Sequence, residues 1–224
     1  MGDPVRAVEE KRYLKSDLEF FGVGAQKMRS VATGYVRANR DASRTVVLDV
    51  VRALWAERVF ESRWFAVELL DAHGSTLQAA DARLLEKMIR ESKTWALVDP
   101  LAVSIAGGLA ERFDEMGSTL DRWSTDDDFW VRRASMLALL KPLRRGEGDF
   151  ERFGRYAEAM LEEKEFFIRK AIGWILRETS KKQPDLVYEW FLPRVSRASG
   201  VTTREAVKYL PARQRARIEK ARRA

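Results

Sequence analysis

The amino-acid sequence predicts an all-α fold, an α-solenoid of stacked helix pairs. Three observations lead there. Apolar residues recur at helical spacing along almost all of the 224 residues. No run alternates apolar and polar residues over strand length between Gly or Asn turns. A short motif also repeats: Phe129-Trp130-Val131-Arg132-Arg133-Ala134 returns 37 residues later as Phe166-Phe167-Ile168-Arg169-Lys170-Ala171. Its Arg-x-Ala core returns after a further 35 residues at Arg204-Glu205-Ala206, and a weaker echo lies at Arg63-Trp64-Phe65-Ala66. Periods in this range with two helices each are the mark of solenoids, whose concave face is the usual place of function. The small Ala lets paired helices approach closely. The repeat arginines on the helix flank can reach either a ligand or an acid of the adjacent repeat.

The elements follow in order. Val46, Val47, Val50, Val51 and Leu54 mark one face of a helix that starts near Ser43, a plausible N-cap. Trp64, Val67 and Leu70 define the next, stopped by Gly74, and Leu84, Leu85, Met88 and Ile89 a third. A fourth carries Phe129, Trp130, Met136, Leu137, Leu139 and Leu140 and is expected to end at Pro142. Tyr156, Met160 and Leu161 belong to a fifth, and Ile168, Ile172, Ile175 and Leu176 to a sixth. About eleven to thirteen helices and no sheet are expected over the whole chain.

Composition narrows the chemistry. There are no cysteines, which excludes disulfides, thiolate metal sites and a cysteine nucleophile. The single histidine, His73, excludes any multi-histidine metal site. No apolar run approaches the roughly 20 residues that span a bilayer. The opening Met1-Gly2-Asp3-Pro4 runs into charge, so a cytoplasmic protein without a secretory signal is expected. The net charge is +7, which suggests a polyanion partner. From Arg204 onward there are eight basic residues and two acids, a net of +6, so the body carries only +1. The reading is one domain over residues 1–224 with a basic C-terminal arm from about Ala212.

Three segments carry possible chemistry. In Thr94-Trp95-Ala96-Leu97-Val98-Asp99-Pro100, Trp95 and Asp99 are four apart and share a face if the segment is helical. An aromatic ring beside a carboxylate suits a cationic ligand or transition state. Asp99-Pro100 would equally serve as a helix start, with Asp99 as N-cap. In Asp126-Asp127-Asp128, three acids favour the positive end of a helix dipole rather than a metal, because adjacent acids on a helix diverge. In Glu165 to Glu178, Gly173 suggests a close helix approach, and Arg177 lies over the same surface as Trp174. That pair could hold a sugar-phosphate backbone, or form a core Trp and an internal ion pair.

The last segment, Glu165-Phe166-Phe167-Ile168 through Lys170-Ala171-Ile172-Gly173-Trp174 to Leu176-Arg177-Glu178, closely resembles the AlkD family of DNA alkylation repair glycosylases. Tyr13-Leu14-Lys15 with Phe20-Phe21-Gly22-Val23 is similar to the family's N-terminal pattern. Trp95 with Asp99 resembles its Trp-x-x-x-Asp motif, and Trp130-Val131-Arg132-Arg133-Ala134 its Trp-[Leu/Val]-x-Arg-Ala motif. The resemblance runs from about Tyr13 to Tyr209. Thr94 and Ala96 depart from the family's usual Trp and Asp, and Pro100 follows Asp99 directly.

The resemblance implies a HEAT-like solenoid whose concave basic face binds duplex DNA, excising N3- and N7-alkylated purines without flipping the base. Asp99 matches the catalytic carboxylate, and Trp95 and Trp174 the rings that hold the lesion's deoxyribose. Arg133, Arg177 and Tyr13 match DNA-contacting positions. No cofactor and no metal are implied, and a monomer associated with the nucleoid is expected. Two other readings of the same fold stay open: a DNA-binding paralogue that is catalytically weak, and a protein-interaction scaffold.

Overall fold

The computed structural model describes residues 2–223; Met1 and Ala224, the last residue of the basic arm, lie outside them. These residues form two compact units, 2–113 and 114–223. Among the described residues there is no strand, only one isolated parallel bridge between Glu19 and Val59. No described helix is long and apolar enough to cross a membrane.

The first unit contains α1 (Pro4–Leu14), α2 (Ala25–Ala38), α3 (Arg44–Ala56), α4 (Phe60–Ala72), α5 (Ala82–Ser92) and α6 (Trp95–Pro100). A π-helical stretch, Leu101–Ala106, carries α6 directly into α7 (Gly107–Ala110). Ser43 caps α3 as expected, accepting the Val46 amide at 3.4 Å. The buried stripe of α3 is Val47, Leu48, Val51 and Trp55. Val46 is 53% exposed, because at 100° per residue it stands about 150° around the helix from the middle of that stripe. Between α1 and α2 the chain is extended and held by Glu61 in the first turn of α4. The Glu61 carboxylate accepts the amides of Phe21 and Val23 at 3.1 Å, and the Phe20 ring stacks on Phe60 at 4.7 Å. Gly22 sits at φ +70 with the Asp3 carbonyl 2.0 Å from where a Cβ would be, so only glycine fits there.

The second unit contains α8 (Met116–Trp123), α9 (Phe129–Leu137), α10 (Leu140–Arg145), α11 (Phe150–Met160), α12 (Phe166–Ser180), α13 (Pro184–Phe191), α14 (Gly200–Ala206) and α15 (Ala212–Arg223). Asp128 caps α9 by accepting the Trp130 amide at 2.8 Å, and Trp130 is core. Pro142 does not end a helix. The break falls at Ala138 and Leu139, and Pro142 is the third residue of α10, in a first turn whose amides have no helical acceptor anyway. Gly173 serves the predicted close approach: a Cβ there would lie 2.8 Å from the Glu205 Cβ and 3.0 Å from the Thr202 carbonyl oxygen. Hence α12 and α14 can pack backbone to backbone.

The repeat is visible in the hydrogen bonds. Within both units, polar contacts join residues 31 to 37 positions apart, from Arg44–Asp81 and Trp55–Glu91 to Tyr156–Asp121 and Lys170–Glu205. The repeat arginine has one recurrent local task. Arg63 donates to the Glu57 carbonyl, Arg132 to that of Asp126 and Arg169 to that of Glu163, each six residues back. Arg132 additionally grips Glu163 through both Nε and Nη2, at 3.1 and 2.8 Å. Arg63 is 7% exposed, reaches the Glu91 carbonyl at 2.9 Å and lies 4.8 Å from the Trp55 ring centre.

Arg63→Met leaves two carbonyls without their donor in a desolvated site. The expected loss is about 2–3 kcal/mol of unfolding free energy, measured by urea titration. Gly173→Val forces α12 away from α14 and costs about 2 kcal/mol or more in the same assay.

Candidate active site

The segment that carries Trp95 and Asp99 is positioned by the end of α5. Lys93 takes a left-handed conformation at φ 48, and Thr94 turns extended and buried before α6 begins. The Thr94 hydroxyl finds no hydrogen-bond partner among the described residues. Asp99 therefore does not start a helix. It is the fifth residue of α6, and Pro100 is the sixth. With no amide hydrogen, Pro100 leaves the Ala96 carbonyl without its i+4 donor, and the chain beyond widens into the π-helical stretch. A helix that starts at Trp95 puts Trp95 and Asp99 one turn apart on one face, both half-buried.

Tyr13 joins them. It projects from the last turn of α1, 73% exposed, and its ring stands perpendicular to Trp95 with centres 6.1 Å apart. The extended segment before α2 fixes this placement. Gly22 receives the Asp3 amide on its carbonyl at 3.2 Å, and the Asp3 side chain caps α1. Glu61 anchors the same segment from α4. Its part was not read from the sequence, although an acid in a first helical turn is a recognisable signal for capturing amides.

In the second unit, Glu165 caps α12 by accepting the Phe167 amide at 3.2 Å. Trp174 is half-buried on that helix. Arg177, one turn on, is engaged by Glu205 and by Glu178 at 3.2 Å. Lys170 shares Glu205 at 2.5 Å. Arg133, from α9, is 2% exposed and donates to the Phe167 carbonyl, with its guanidinium 5.8 Å from the Phe167 ring centre. Two of the three acids before α9 are used locally. Asp126 accepts the Asp128 amide at 2.8 Å, and Asp128 caps the helix. The described residues contain no group of three metal-ligating side chains. His73 is buried at the C-terminal end of α4.

A ring, a carboxylate one turn further along, and a second ring packed edge-on against the first form a compact set. The model of the family described as DNA alkylation repair enzyme matches residues 1–210. The chain belongs to that family. Comparison with curated proteins gives no match. Among solved structures, the DNA alkylation repair family member is similar to a predicted DNA alkylation repair enzyme from Enterococcus faecalis. Identity is 21%, with a TM-score of 0.85 over 95% of this chain and 98% of that one. It is also similar to AlkD2 from Streptococcus mutans, at 18% identity and a TM-score of 0.64, over 92% of this chain and all of that one. The helical-repeat fold of these DNA alkylation repair proteins is therefore the fold of this chain.

Two outcomes follow from the site's surroundings. Tyr13→Ala removes one ring contact from an exposed position, so unfolding free energy should fall by no more than about 1.5 kcal/mol. The Glu178 and Glu205 carboxyls show the opposite balance. Burial alone raises both, but Lys181, Arg144 and Arg177 hold Glu178 below the usual carboxylate range, and Lys170 and Arg177 do so for Glu205. Because these folded-state values are depressed, their stabilisation is present above the ordinary carboxylate range and is lost as pH falls through it. A melting series from pH 7 to pH 3 should show this loss, and Glu205→Gln should flatten it.

Proposed function

We propose that this protein is a DNA glycosylase that hydrolyses the N-glycosidic bond of N3- or N7-alkylated purines in duplex DNA, leaving the base stacked. The observation that carries the reading is the Tyr13, Trp95 and Asp99 set in a member of the DNA alkylation repair enzyme family. Alkylation at N3 or N7 makes the base cationic and a good leaving group, so its departure needs little protonation. The difficult part is the sugar, which passes through an oxocarbenium-like state as in glycoside hydrolysis. In this reading Asp99 stabilises that cation and orients the attacking water. Trp95 and Trp174 pack on the deoxyribose and add cation–π stabilisation of about 0.5–2 kcal/mol. No general-acid histidine is needed. Tyr13 sets the ring of Trp95 and lines the same side.

Arg133 and Arg177 enter as duplex contacts, each exchanging an internal bond for a phosphate: Arg133 its bond to the Phe167 carbonyl, Arg177 its pair with Glu205. Those internal bonds favour a second reading, the protein-interaction scaffold of the same fold, in which neither arginine meets a phosphate. Substrates are duplexes carrying alkylated purines, the working form is a monomer in the cytoplasm at the nucleoid, and no cofactor takes part.

The deciding assay is release of N7-methylguanine from duplex DNA. Wild type should release base, and Asp99→Asn should be slower by about 100-fold or more, the scale of removing one preorganised electrostatic group. Trp95→Ala should be slower as well, with both variants keeping the wild-type melting temperature to within a few degrees. Duplex binding without release by wild type would select the paralogue reading.

A further inference from the structure

The helix α15 lies beyond the residues matched by the family, which end at 210. It is nonetheless docked. Ile218 is fully buried, Gln214 donates to Asp185 at 2.5 Å, and Arg215 donates to the Leu210 carbonyl at 3.3 Å. Ile218, Gln214 and Ala221 define the inward face. At 100° per residue, Arg213, Arg217, Lys220 and Arg223 then form one exposed stripe at steps of four, three and three residues.

We infer that this stripe is an accessory clamp for the phosphate backbone of duplex DNA. The charge pattern is the first argument. Elsewhere in the second unit most arginines are answered by acids, among them Arg132 by Glu163, Arg177 by Glu205 and Arg194 by Glu158. Among the described residues no basic side chain of α15 forms an ion pair, and Glu219 is the helix's one acid. Like charges three and four apart on a helix repel, so the stripe gains when an anion meets it. Length is the second argument. Arg213 to Arg223 spans about 15 Å of helix axis, and one DNA strand presents a phosphate every ~3.4 Å of its own axis. Composition is the third. A membrane-surface helix needs an exposed apolar face, whereas the one large apolar side chain of α15, Ile218, is buried.

The inference rests on the duplex-DNA reading above, and the test separates the two. The full chain and its R213Q/R217Q/K220Q/R223Q variant are titrated onto undamaged duplex DNA by fluorescence anisotropy between 50 and 200 mM salt. Helicity is checked by circular dichroism, and Lys220→Glu is run as a single exposed substitution that leaves the docking face intact. The clamp predicts about 10-fold or greater weakening for the quadruple variant. It also predicts a salt slope shallower by about two to four, near 0.9 per phosphate contact. Lys220→Glu should weaken binding in the same direction, and the R213K/R217K/R223K variant should bind like wild type. Unchanged affinity and slope in the quadruple variant overturn the clamp while leaving the duplex reading intact. Preference of wild type for phosphatidylglycerol vesicles over duplex, abolished in the variant, overturns it in favour of a lipid surface. Failure of wild type to bind duplex at all overturns both.

Discussion

An arginine that reaches six residues back along its own chain to a loop carbonyl sets the terms for the rest of the molecule. Arg63, Arg132 and Arg169 each do this at the start of the second helix of a pair. The guanidinium is large, planar and always charged, so it can close the turn and still offer donors to the next repeat. Arg63 uses them on the Glu91 carbonyl and Arg132 on Glu163. Local turn and repeat stacking are thereby fixed by one side chain. The same economy explains why the body carries a net charge of only +1 despite its many arginines. Several of them are answered by acids about one repeat away, among them Arg44 by Asp81, Arg144 by Glu178 and Arg194 by Glu158, and the excess of +6 collects from Arg204 onward.

Helical periodicity made the fold class legible, because a solenoid puts nearly every helix in contact with its neighbours and so gives each one an apolar face. Ser43 and Gly173 were legible for local reasons: a cap is chosen by a side-chain oxygen, and a close approach by the lack of a Cβ. The prolines were less so. Pro100 and Pro142 look like boundaries in sequence, but a proline early in a helix removes an amide that had no helical acceptor, and one later can be absorbed by a π-helical turn. Of the two readings that the sequence leaves open for Asp99, the structure takes the helix interior and not the helix start.

The site residues divide by what their partners reveal. Trp95 and Asp99 could be paired from spacing, since i and i+4 share a face on any helix. Tyr13 could not be brought to Trp95 by any local rule. That contact depends on Gly22, Asp3 and Glu61, three residues remote from one another in sequence. Arg132 and Arg133 are adjacent in sequence and diverge in fate. One closes a turn against Glu163, and the other is buried against the start of α12. Only tertiary structure separates neighbours of identical chemistry.

The helix that carries Tyr13 buries none of its own residues. What holds it is its cap, the Gly22 carbonyl and the amides clasped by Glu61. Segments attached in this way open far more often than the core they rest on, and their amides exchange with solvent long before global unfolding. The aromatic wall on this side of Asp99 is thus a hinged one. Its lifetime is governed by a handful of backbone contacts rather than by the packing of the solenoid. Evolution can retune that lifetime through residues such as Glu61 without touching the carboxylate or the ring it faces.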